Sequence, residues 1–276
     1  MPAPQANAMA QAAKNIFRGK SVALPRDWQS PGKQFADAFS IEEKQVPANS
    51  ARNLFREPTL NQYHVDAART IGTKFAHYLE GIAAAICGAV GRWMRMTFIA
   101  GVTINGSLGR MQPGAVVGPS LAPMIMAAAP RRTNMEVRYS MAIAGAVDQA
   151  WKSWQSGLNG ILLYPAFDAI AGPLAPPTPN VPIPLMALSS RGESALSPPS
   201  LKDQMLTLLA EPGALHAGDL FEAVARALHS DFQSFKSSTL VTNVLGSGPV
   251  PSFSPPLAPV GPVVAGSVIP RPGVFV

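Results

Sequence analysis

From Ser237 to Val276 only Arg271 is charged, and Pro, Gly, Val and Ser dominate. Directly before this stretch, Leu220, Phe221, Val224, Leu228, Phe232 and Phe235 recur at three- and four-residue steps and form one apolar face. A regular amphipathic helix therefore runs into a neutral, proline-rich arm. Two earlier stretches follow the same order. Ala146–Ser156 lies over Ala227–Ser237 without gaps, matching Trp151 with Phe232 and Trp154 with Phe235. Ala89-Val90 with Met94 and Thr97 is a fainter third copy. In each, a helix leads to an aliphatic run, a Gly turn and a Pro-rich segment.

This plan predicts a mainly α chain: amphipathic helices in a bundle-like core, long extended Pro-rich arms and a few short strands. Its units are an N-terminal arm or surface segment (1–58), then helix-plus-arm units at 59–133, 134–199 and 200–276. Thr59 and Gln62 match a capping box that opens the first long helix, which breaks near Gly72 or Gly81 or packs within an elongated bundle. Thr97 to Ile104 reads as a strand or a helix end, and Asn105-Gly106 as a turn. A second helix starts near Asn134. Ser189–Ser200 reads as a linker, Ser200 as the cap of a short helix, and Asp219 as the cap of the third unit.

Composition says how such arms behave. Charged residues are 14% of the chain, against about 25% in an ordinary globular domain, while hydrophobic residues are 47%. Disordered chains combine low hydrophobicity with high net charge, the opposite of this balance. The arms are therefore expected to order against neighbours. Proline lowers the entropy lost on docking, and neutral side chains desolvate cheaply. Trp151, Trp154, Phe232, Phe235, Phe253, Val263 and Phe275 are the packing anchors expected at such interfaces.

The net charge of +6 is concentrated in residues 81–140, where Arg92, Arg95, Arg110, Arg131, Arg132 and Arg138 face only Glu136. Arg92, Arg95, Arg131 and Arg132 are candidate contacts for nucleic acid or another anion, although no recognition motif surrounds them. Arg92 and Arg95 also interrupt the apolar run 81–104. That argues for a buried helix over a membrane span.

Catalytic signals are few. The four histidines stand in no metal-binding spacing, and Cys87 is alone in an apolar run. No nucleophile elbow and no phosphate-binding loop occurs. Neither a metal nor a cofactor is expected, and no secretory signal is read at the N-terminus.

In style the chain resembles structural proteins of tailed-phage virions and related contractile injection particles: a helical body, long uncharged arms, one free cysteine and no catalytic motif. The resemblance implies a non-enzymatic tail, baseplate or connector component, made in a bacterial cytoplasm and held in the particle by contacts with copies of itself or other subunits. Two alternatives stay open, a membrane-associated protein using 81–104 and an enzyme or effector with an unrecognised site.

Overall fold

Burial at helical spacing selects the first elements. The computed structural model describes residues 4–20, 60–167, 173–214, 216–251 and 262–276, and for residues 60–69 the backbone alone. Helix α1 (Ala6–Arg18) buries Met9, Ala10, Ala13 and Phe17 on one face. That face packs against α2 (Leu60–Met96) and against α6 (Ala217–Ser238). Helix α2 runs unbroken through Gly72 and Gly81. Gly81 has a packing role, because a Cβ there would lie 2.6 Å from the Pro130 ring. Thr59, expected as the cap of α2, lies outside the described residues.

Helix α3 (Leu121–Ala128) is anchored by Asp148, whose Oδ1 accepts from Ser120 Oγ and the Leu121 amide. Burial acts to raise the pKa of Asp148. Donation from Lys152, Ser120 and the backbone amides outweighs it and leaves the carboxyl below its usual range.

Helix α4 (Asn134–Gly157) starts with a reciprocal cap. Thr133 Oγ1 accepts from the Glu136 amide, and the Glu136 carboxylate accepts from the Arg132 amide. Helix α5 (Pro198–Leu209) begins earlier than expected, because two prolines pre-set its first turn. Ser197 stands at its N-cap, and Ser200 only bonds Ser197 Oγ. Asp219 is not a cap either. Helix α6 starts two residues before it, and Asp219 sits in the first turn.

The aromatic anchors meet at the centre of the helical layer. Trp93, from α2, lies 5.1 Å from Trp151 and 5.8 Å from Trp154 by ring centroids. Trp151 and Trp154 in turn contact Phe232 and Phe235 of α6, at 5.2–6.5 Å. The matched segments of the internal repeat thus face each other across one cluster. Met94 and Thr97, the fainter copy, are buried at the end of α2.

The expectation of a mainly α chain with extended arms and a few short strands is overturned. The chain is mixed α/β, with a seven-stranded antiparallel sheet. The strands are β1 (Phe98–Ile99), β2 (Val102–Gly106), β3 (Leu108–Met111), β4 (Val116–Val117), β5 (Leu158–Leu163), β6 (Leu174–Pro179), β7 (Ile183–Pro184), β8 (Ser189–Ser190), β9 (Leu240–Val241), β10 (Leu245–Pro249) and β11 (Val263–Ile269). The large sheet has the order β6-β10-β11-β2-β3-β5-β8. It mixes strands from all three expected helix-plus-arm units.

Its Pro- and Gly-rich strands come from the second and third supposed arms, whereas the first, 111–130, is no extended arm but folds into β4 and α3. Three prolines of β6 are tolerated because, among the described residues, β6 is an edge strand with a partner on one side only. Strand β10, Leu-Gly-Ser-Gly-Pro, has little β propensity of its own and is held by neighbours on both sides. The Ser189–Ser200 segment is likewise no linker. It holds β8 and a short 3-10 turn (Glu193–Leu196) that buries Leu196.

Candidate interaction surface

The sheet does not lie flat. Strands β6 and β5 are five positions apart in it, about 24 Å in a flat sheet at ~4.8 Å per strand. Yet Val181, two residues past β6, donates its N–H to Leu163 O of β5 at 2.7 Å. The six strands from β6 to β5 must therefore curl round into a small, nearly closed barrel.

Glycine makes the interior possible. A Cβ on Gly109 (β3) would lie 2.7 Å from one edge of the Tyr164 ring, and a Cβ on Gly246 (β10) 2.6 Å from the other. These strands are not neighbours, so the barrel wraps around Tyr164. Register shifts in β10 and β11 sharpen the curl. At the β11 shift Ala265 takes a left-handed φ of 52°, with its amide held by Asn105 Oδ1. The Tyr164 hydroxyl is buried without a hydrogen-bond partner among the described residues, and burial pushes its pKa above the usual phenol range.

Curling decides which side chains face out. Strands β2 and β3 meet in a two-residue turn whose first residue, Gly106, has φ of 63°. Leu108 then pairs with Leu163, and Arg110 with Ile161, all outward on the barrel wall. Leu108 and Ile161 are 51% and 50% exposed, and Leu163 and Val181 are exposed beside them. The apolar strip ends in a cleft of about 780 Å³, lined among others by Arg110, Asn159, Ile161, Ser189 and Arg191.

The two arginines flank β5 from β3 and from the turn after β8. Neither has an ion-pair partner among the described residues. Asn159 and Ser189, by contrast, are tied to each other, Ser189 Oγ donating to Asn159 Oδ1 at 3.1 Å. An exposed aliphatic strip with unpaired guanidinium groups can desolvate against a partner and fix its register by charge.

The residues singled out from the sequence fall elsewhere. Trp151, Trp154, Phe232, Phe235, Val263 and Phe275 are buried within the chain itself, so their side chains offer no surface to a neighbour. Phe275 stacks on Trp93 at 5.2 Å, and Val263 lies in β11 on the inner wall of the barrel. Phe253 lies outside the described residues. Arg92 and Arg95 are exposed near the end of α2, about 27 and 32 Å by helical rise from Lys74. Arg131 and Arg132 are exposed in the α3–α4 connection beside Lys74 and His77. The arginine zone is therefore split between separate surfaces.

Leu108, Leu163, Val181 and Arg191 gave no sequence signal as surface residues. Leu158–Leu163 shows no apolar–polar alternation, and which side faces out follows from the curl of the sheet.

Other chemistry is sparse among the described residues. Cys87 is buried with its thiol pKa pushed up to about 12, first by burial and then by Asp231. His229 Nδ1 is within hydrogen-bond distance of Leu196 O, at 3.1 Å. Among the described residues no cluster of three His, Cys, Asp or Glu side chains is placed to hold a metal, and no helix is long and apolar enough to cross a membrane. Comparison with protein-family models, curated proteins and solved structures finds no match.

Proposed function

We propose that this chain is a non-enzymatic structural component of a multi-subunit particle, meeting its neighbours through the outer wall of the barrel. The observation that supports it is the strip Leu108, Ile161, Leu163 and Val181, which lies open beside Arg110 and Arg191. Isolated aliphatic residues on a surface need no explanation, but a contiguous strip bordered by arginine has the composition of a recognition surface. Described parts of the second and third Pro-rich segments supply strands β6, β10 and β11 of the chain's own sheet. In this reading they build the wall that a neighbour meets. The particle class, a phage tail, baseplate or connector or a related injection particle, comes from the compositional resemblance, as does assembly from a pool made in a bacterial cytoplasm.

Sedimentation velocity over a wide concentration range tests the proposal. The wild-type chain associates, and the double variant Ile161→Asp, Leu163→Asp shifts to monomer with an unchanged unfolding midpoint. A wild-type chain that stays monomeric throughout, or a variant that associates equally well, overturns it.

A further inference from the structure

A second surface, remote in sequence from the barrel wall, has two chemically different halves. Helix α2 presents Ile71, Phe75 and Tyr78 in a row. Together with Met135 and Tyr139 of α4 and Leu220 of α6 they line an apolar groove of about 360 Å³. That volume is within the range of small-molecule sites, roughly 300–1,000 Å³. Lys74, Tyr78, Thr133 and Glu136 also line an adjoining pocket of about 350 Å³, whose other walls include His77, Arg131 and Arg132.

The contact between Gly81 and Pro130 creates this arrangement. It brings the α3–α4 connection against α2 and so sets two arginines beside Lys74 and His77. Along α2 the apolar end and the cationic end span Ile71 to Gly81, about 15 Å by helical rise.

The charges are unbalanced. Among the described residues Glu136 is the only carboxylate lining either pocket, and it is engaged: its Oε2 takes the Arg132 amide at 2.6 Å. Lys74 and the guanidinium of Arg132 have no partner among the described residues, and Arg131 reaches only the Ala127 carbonyl at 3.3 Å. A groove with an apolar floor and free cations at one end matches a single-chain molecule with an anionic head. We infer that this groove binds a free, monomeric single-chain anionic amphiphile of the long-chain carboxylate class. The acyl chain lies against Ile71, Phe75 and Leu220, and the carboxylate is held by Lys74, Arg131 and Arg132.

Isothermal titration of the full chain with dodecanoate, kept below its micelle concentration, tests this. Saturable binding near one equivalent is expected. Arg131→Glu with Arg132→Glu weakens it by about tenfold or more, since each tenfold is ~1.4 kcal/mol and two charge-assisted contacts are reversed. Ile71→Asp, at an exposed position that leaves the core intact, weakens it as strongly. Dodecyltrimethylammonium, with the same chain and the opposite head, fails to bind. Equal binding of the cationic amphiphile, or no binding of dodecanoate by a folded wild-type chain, overturns the inference. So does flotation with vesicles of phosphatidylcholine and phosphatidylglycerol in the absence of monomer binding, because the surface would then be a membrane contact. None of these outcomes depends on the association state set by the barrel wall.

Discussion

Phe275 decides between two uses of the C-terminal segment, in the chain's own core or in a neighbour's. Its side chain is buried and stacks on Trp93 with ring planes 22° apart. The backbone around it is tied on both sides. Leu240 and Val276 exchange N–H···O bonds at 2.7 and 2.9 Å, Thr242 donates to Val274 O, and Gly273 donates to Thr97 O. Phe275→Ala keeps those backbone bonds and removes the ring, leaving a cavity against Trp93. Large-to-small changes of this kind cost about 3–5 kcal/mol. For a chain of this size that is a fall in Tm of roughly 6–20 °C, at ~2–4 °C per kcal/mol. Phe275→Leu, which keeps most of the volume, is expected to cost clearly less. Urea unfolding followed by tryptophan fluorescence measures the loss, and near-UV circular dichroism of the native state reports the altered surroundings of Trp93. If Phe275→Ala leaves the unfolding midpoint unchanged and instead abolishes association, the segment docks on a neighbour and the argument fails.

Further outcomes follow from the same contacts. Tyr164→Phe removes a buried hydroxyl that has no partner, so it is expected to be neutral or to stabilise by up to ~1 kcal/mol in thermal unfolding, whereas Gly246→Ala pushes a methyl into the same ring and is expected to cost about 1–3 kcal/mol. Ala265→Gly relieves a left-handed backbone and is expected to raise stability by roughly 0.5–1 kcal/mol in urea unfolding. Glu222 ties α6 to the residues just past α1 and to α5 by ion pairs to Lys20 and Lys202, beside an i,i+4 pair with Arg226, and hydrogen bonds from Lys20 and Lys202 hold its carboxyl down at about 2, against 4.5. A depressed carboxyl contributes stability that is present above its unfolded pKa and is lost as pH falls through the folded one. Glu222→Gln is therefore expected to lose ~1–2 kcal/mol at neutral pH, less than the full shift implies because water screens the cluster, with the gap to wild type closing between about pH 4.5 and pH 2 in denaturant titrations.

The long helices were legible because their burial has helical period, whereas the short α3, within the Pro-rich stretch read as an arm, was not. Asn134 as the start of α4, and the matched aromatics of Ala146–Ser156 and Ala227–Ser237, read directly from residue spacing, because a helix buries one stripe whatever it packs against. The turn at Asn105-Gly106 was legible too, since a positive φ favours glycine. Two things were not local. First, the strands of the Pro- and Gly-rich segments have low propensity and no alternation. Leu174–Pro179 and Leu245–Pro249 become strands because distant partners supply their hydrogen bonds, each other at 66–75 residues and, for the second, β11 at 20–24, and glycine is what the barrel interior leaves room for. Second, the candidate surface depends on curvature. Ile161 and Leu163 face outward, and Trp151 and Phe235 inward, only once the sheet has closed on Tyr164 and the helices on Trp93. An apolar residue reads the same in sequence whether it meets its own chain or a neighbour. Periodicity and turn chemistry thus determined the helices and the hairpin. Tertiary structure alone decided that the neutral segments complete a sheet, and which apolar side chains are left to face outward.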